Sequence, residues 1–146
     1  VRRVLLGFVF LASGCVPWPH RETVVPEIGG VITLNGKPAA GVQVYLHNHL
    51  RLTDPKTPCS ESENATITDS EGRFRFSEVD KLFMFLVVGD PIRSWGVCIS
   101  HNGAAIIGWR RLVIGYGGPP VSLRCELTSS EAESVDGYGV CSSEGV

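Results

Sequence analysis

The sequence has no excess of basic residues. Its 13 lysines and arginines face 15 aspartates and glutamates, for a formal net charge of −2. A nucleic-acid partner asks for a basic stripe that neutralises phosphates, so no nucleic acid is expected. There is no C-x-x-C pair with zinc spacing, and no H-E-x-x-H or H-x-x-E pair to hold a catalytic zinc. G-x-S-x-G and the phosphate-cradling glycine loop are missing too. No apolar run reaches the roughly 20 residues that span a bilayer. The resulting expectation is a protein that is not an enzyme and carries no cofactor.

What is present begins at the N-terminus. Arg2 and Arg3 precede the apolar run VLLGFVFLA, residues 4–12. A charged segment followed by a short greasy one is the build of a secretory signal. The run closes on Ala12, Ser13, Gly14 and Cys15, which resemble the lipobox of bacterial lipoproteins. The resemblance implies that residues 1–14 are a cleaved signal peptide. It also implies that Cys15 carries a diacylglycerol on its thiol and a further acyl chain, such as palmitate, on its new amino group. Ala12 departs from the pattern, where leucine is commoner. A single acyl chain anchors only marginally and two signals suffice, so a triacylated Cys15 holds the chain on the lipid bilayer. Val16 stands where an aspartate would signal inner-membrane retention. The resemblance therefore implies a lipid-anchored protein of the bacterial cell envelope, at the outer membrane and facing the periplasm.

Four further cysteines, Cys59, Cys98, Cys125 and Cys141, suit an exported domain and allow three disulfide connectivities. Residues 15–28, CVPWPHRETVVPEI, hold three prolines and predict an extended tether. Trp18 there suits either lipid headgroups or packing on the domain. Residues 29–128 alternate short β-like runs with turn signals, the pattern of an all-β sandwich or barrel. Val42, Val44 and Leu46 share one face of a strand, and Gln43, Tyr45 and His47 the other. Asp69 and Gly72 mark a turn before Phe74 and Phe76, which point inward between Arg73 and Arg75. Asn35-Gly36 and Asn102-Gly103 are turn and hairpin signals. Residues 82–88, LFMFLVV, are apolar throughout and predict a central strand covered on both faces, or a short helix. Val121, Leu123, Cys125 and Leu127 share one face of a last strand. Residues 129–146 form a polar, glycine-rich tail in which Cys141 is the one reason for order.

Two stretches of this body, GGVITLNGKPAAGVQVYL (residues 29–46) and TDSEGRFRF (residues 68–76), resemble the carboxypeptidase-regulatory-like, or transthyretin-like, domain. The matching residues are Gly30, Val31, Gly36, Pro38, Gly41, Val44, Thr68, Asp69, Gly72, Phe74 and Phe76. The resemblance implies a Greek-key β-sandwich of about seven strands. It implies no peptidase activity, which in that family belongs to a separate zinc domain.

Candidate sites are few. His47 and His49 face the same way on a strand, so their imidazoles are placed to share a metal, with His101 as a third ligand if its hairpin lies nearby; solvated histidines are the alternative. Trp109, Arg110 and Arg111 suit an interface or a core indole flanked by solvated arginines. Asn64-Ala65-Thr66 fits a glycosylation sequon but reads better as the start of a strand. Cys98 alternates away from Trp95, Val97 and Ile99, so it needs a covering partner, and the proline-rich loop supplies Cys59. Cys141 is the one cysteine in the tail beyond Cys125. The predicted disulfides are Cys59–Cys98 and Cys125–Cys141, although a buried free thiol would also fit Cys125. The expected function is a non-catalytic binding or structural module with an envelope protein or glycan partner. The alternative is a small hydrolase or metal-binding enzyme on the same sandwich.

Overall fold

The computed structural model describes residues 19–47, 64–84, 92–115, 118–129, 132–134 and 137–144. They form β1 (His20–Val25), β2 (Ile28–Leu34), β3 (Lys37–Pro38), β4 (Gln43–His47), β5 (Ala65–Ile67), β6 (Arg73–Phe76), β7 (Val79–Phe83), β8 (Ile92–His101), β9 (Ala104–Ile114), β10 (Val121–Glu126), β11 (Ala132–Ser134), β12 (Gly137–Gly139) and β13 (Cys141–Ser143), with no helix among them. The fold is all-β.

Three sheets result. The largest runs β11-β12-β9-β8-β4-β5. It is built on the long β8–β9 hairpin, turned by Asn102 and Gly103 with φ of 52° and 75°. Two residues with positive φ give a turn whose twist matches the flanking strands, and asparagine followed by glycine adopts it at least cost. The second sheet runs β13-β10-β2, with β3 and β6 both on the far edge of β2. Here β2 and β10 are parallel, Ile28 lying beside Val121 and Ile32 beside Cys125. The third pairs β1 with β7.

One core joins them. Ile28, Ile32, Phe74, Leu123 and Cys125 meet Val44, Leu46, Trp95, Val97, Ile99 and Trp109 in a single buried cluster. Phe74 and Phe76 are buried between exposed Arg73 and Arg75, and Val121, Leu123 and Cys125 are buried in alternation along β10. Period-two patterning therefore translates directly into the inner face of the second sheet. A bulge falls where Val97 pairs with Trp109 and Cys98 with Ile107. Its additional residue, Gly108, resets the alternation so that both Ile106 and Trp109 reach the core. Gly30 is required where β2 passes the core: a side chain there would run into the Leu123 carbonyl and come within 2.9 Å of the Phe74 ring.

Several expectations are corrected. The described residues form thirteen strands against the expected seven or so, and four of them, β1 and β11 to β13, lie in the segments read as tether and tail. The tether prediction covered residues 15–28, but β1 lies within it. It pairs with β7 and buries Val24 and Val25 in the core; Cys15 and Trp18 lie outside the described residues. The run at residues 82–88 is not a central strand over its described part. β7 pairs with β1, and Leu82 and Met84 are exposed, because the two-stranded sheet covers only the face that carries Val79 and Phe83. Residues 85–88 lie outside the described residues. The tail is drawn into both large sheets. Cys141 lies directly opposite Cys125 and is disulfide-bonded to it, and Val140 donates its N–H to the Ile107 carbonyl at 3.0 Å.

Candidate functional site

A groove of about 610 Å³ crosses the outer face of the second sheet. The registers that align Gly29 with both Arg75 and Ser122, and Val31 with Arg73, set its floor and walls. Gly29 leaves the floor low because it has no side chain; a Cβ there would make only ordinary contact, 3.7 Å from the Phe74 carbonyl. Ile67 of β5 and Pro120 line the rim.

The arginines of this groove are paired with carboxylates in or beside it. Arg75 contacts Glu27 at 2.8 Å. That hydrogen bond first, and the carboxylate charge second, raise the guanidinium pKa. Arg73 contacts Glu71 at 2.8 Å. The Asp69 carboxylate accepts the N–H groups of Glu71 and Arg73 at 2.9 and 2.8 Å, an Asx-type closure of the β5–β6 turn. Ser122 is aligned with Gly29 and is remote in register from the histidines among the described residues, so none of those stands beside it as a base. Thr68, buried beneath the turn, donates to the Ala39 carbonyl at 2.7 Å and accepts the Val42 N–H at 2.9 Å.

Beside it, Glu126 gathers the turn between β2 and β3. Its carboxylate accepts the Asn35 N–H at 2.9 Å, the Gly36 N–H at 3.0 Å, the Thr33 hydroxyl at 2.9 Å and the Thr128 hydroxyl at 2.7 Å. The Thr128 hydrogen bond first, and the Gly36 N–H next, lower its pKa from the ordinary 4.5 to about 2. Because the folded pKa is depressed, this contribution to stability is full above about pH 4.5 and is lost as pH falls towards 2. Glu126→Gln is expected to lower the melting temperature at pH 7, and the deficit against the parent should shrink between pH 4.5 and 2. A deficit that stays constant across that range contradicts the assignment.

A second polar cluster lies where β1 meets β8. Arg93 reaches Glu22 at 2.5 Å with both side chains largely buried, and Glu22 meets His20 at 2.7 Å. The Arg93 guanidinium also lies 5.3 Å from the centre of the Phe83 ring. Sequence reading missed this cluster because His20 and Glu22 were assigned to the tether. The signal was the period-two series His20, Glu22, Val24.

The sequence-predicted residues distribute as follows. His47 pairs with Gly96, while His101 bonds Asn102 at 3.0 Å at the hairpin tip. Five residues of β8 separate the two positions, roughly 17 Å along the strand, so His101 is not a third ligand beside His47. His49 lies outside the described residues, among which no group of three ligating side chains could hold a metal. Trp109 is fully buried, whereas Arg110 stacks over Tyr138 of β12 at 4.4 Å, an aromatic that sequence reading did not group with it. Asn64 directly precedes β5, and its carbonyl accepts the Leu46 N–H at 2.8 Å. Cys98 is disulfide-bonded; its partner, and Cys59, lie outside the described residues.

These features define an all-β domain with a mixed sheet, one shared core and a groove on the outer face of that mixed sheet. Residues 28–130 match the model of DUF6795, a domain of unknown function, and the chain belongs to that family. The matched region runs from β2 to just beyond β10, leaving β1 and the C-terminal strands outside it. No curated protein matches the chain.

Proposed function

We propose that this protein is a lipid-anchored envelope protein, held on the membrane through acylated Cys15, whose domain is a transthyretin-like Greek-key sandwich. The domain acts as a non-catalytic binding or structural module for an envelope protein or glycan. The observation that carries the module reading is the groove over β2, β6 and β10. Its arginines are ion-paired with carboxylates, Arg75 with Glu27 and Arg73 with Glu71, which favours a binding surface over reactive groups.

The sandwich reading is supported by what the family-like residues do. Gly30 admits Phe74 against β2. Thr68 ties the β5–β6 turn to the segment after β3, and Asp69 closes that turn on itself. Phe74 and Phe76 fill the core. They are architectural residues, and function on such a frame belongs to grafted surfaces. The anchor reading is supported by the sequence from Ala12 to Cys15 and by Val16, which favours the outer membrane facing the periplasm.

Cys15→Ala tests the anchor. The variant is expected to lose palmitate incorporation and either to remain an uncut precursor or to leave the membrane fraction. A variant that labels and fractionates like the parent contradicts the reading.

A further inference from the structure

Four strand ends converge at one end of the domain. His20 at the start of β1 pairs with Phe83 at the end of β7. Phe83 lies against Arg93 at the start of β8. Ile92, beside Arg93, pairs with Ile114 at the end of β9. This end carries most of the large exposed hydrophobics among the described residues: Leu82, Met84, Ile92, Leu112 and Ile114, with Ile92 and Ile114 exposed to 71% and 68%. They flank the tip from both sides, Leu82 from the outer face of the two-stranded sheet and Ile92, Leu112 and Ile114 from the outer face of the largest sheet. Exposed apolar side chains gathered in one region mark a contact surface.

The chain itself indicates what covers this end. Cys15 precedes β1 by only five residues, and a fully extended chain covers at most about 3.6 Å per residue, roughly 18 Å in all. Building on the proposed acylation of Cys15, we infer that this tip docks on the bilayer to which Cys15 is anchored. Leu82, Met84, Ile92, Leu112 and Ile114 then enter the interface. Apolar faces of interfacial elements sink about 5–10 Å into the headgroup and acyl boundary. Arg21, exposed and paired in register with Leu82, and exposed Lys81 stand just behind the apolar rim, where anionic headgroups attract cations. The domain stands end-on. β8 has ten residues and carries the opposite end roughly 30 Å from the membrane. The hairpin tip at Asn102-Gly103 and the β5 edge then face away from the lipid.

The test uses the full acylated chain reconstituted into phosphatidylethanolamine and phosphatidylglycerol vesicles with brominated acyl chains. Ile114→Trp places a reporter on the docking tip. Ile67→Trp places one at the far end, on a residue also exposed, to 61%. Emission is read as the difference from the parent chain, whose own tryptophans are common to both variants. The Ile114→Trp signal is expected to shift to the blue and to lose intensity in brominated vesicles, while the Ile67→Trp signal keeps its intensity. Equal quenching at both positions, or none at position 114, overturns end-on docking. Palmitate incorporation, measured on the same chains, separates the two readings. A labelled chain without the difference between positions removes docking alone, and an unlabelled chain removes the anchor and docking together.

Discussion

Trp109→Ala is expected to destabilise the domain by about 3–5 kcal/mol, the range for emptying the site of a buried large aromatic. Trp109 is fully buried and lies 4.9 Å from Trp95, ring centre to ring centre, at an interplanar angle of 51°. The pair fills the middle of the core. The tail closes over it: a side chain at Gly137 would come within 2.6 Å of the Trp109 indole nitrogen. Alanine would leave a cavity bounded by the β9 bulge on one side and β12 on the other, and neither can collapse without breaking backbone bonds. The indole N–H has no hydrogen-bond partner among the described residues, so Trp109→Phe forfeits no polar contact and is expected to cost clearly less than alanine. Urea unfolding followed by far-ultraviolet circular dichroism measures both. Equal losses for alanine and phenylalanine would mean that the site is not held by packing.

Cys125→Ala/Cys141→Ala is expected to cost about 3 kcal/mol. Cys125 and Cys141 are separated by 16 positions, and closing a loop of that size restricts the unfolded chain by about this amount in an entropy model whose mechanism is disputed. The native side matters as well. β13 is three residues long. Beside its short ladder with β10, it is supported by the exposed Arg124–Glu144 ion pair, the Glu144 N–H bond to the Ser122 carbonyl at 2.8 Å and the Val140 N–H bond to the Ile107 carbonyl at 3.0 Å. An exposed ion pair contributes at most about 1 kcal/mol, and the ladder spans only three residue pairs, so the covalent bond is the strongest single tie between β13 and β10. In guanidinium the double variant should unfold at a lower midpoint, and the amides of residues 141–143 should exchange well before those of β10. An unchanged midpoint would show that the bond forms but does not constrain the fold.

The parts of the fold legible in the sequence are those with one face inward and one outward. Phe74 and Phe76 between Arg73 and Arg75, and Val121, Leu123 and Cys125 along β10, follow a period that only a half-buried strand satisfies. The Asn-Gly turns were legible because few dipeptides accept two positive φ values. β1 was hidden by its flanking prolines. Leu82 and Met84 misled because hydrophobicity records a wish to leave water and does not distinguish a core from a surface awaiting a partner. The tail strands gave little signal because Gly137 and Gly139 take part by letting backbone pass close to Trp109 and Gly108. The groove was illegible for a related reason. Its floor is the missing side chain of Gly29, and its walls, Arg75 and Ser122, are brought together only when β2 pairs with β6 on one side and β10 on the other.

The central claim is that Cys15 is a lipid anchor, and the disulfides make it testable in one measurement. Cys125 and Cys141 are joined to each other, and Cys98 is disulfide-bonded, so among the five cysteines Cys98 must pair with Cys15 or with Cys59. An acylated Cys15 has no thiol to give. Mass spectrometry of non-reduced peptides from protein extracted from membranes reads both positions at once. The account predicts an N-terminal peptide that begins at Cys15 and carries the added lipid mass, together with a Cys59–Cys98 linked peptide. A peptide linking Cys15 to Cys98, or an unmodified Cys15 within a longer N-terminal peptide, would contradict it.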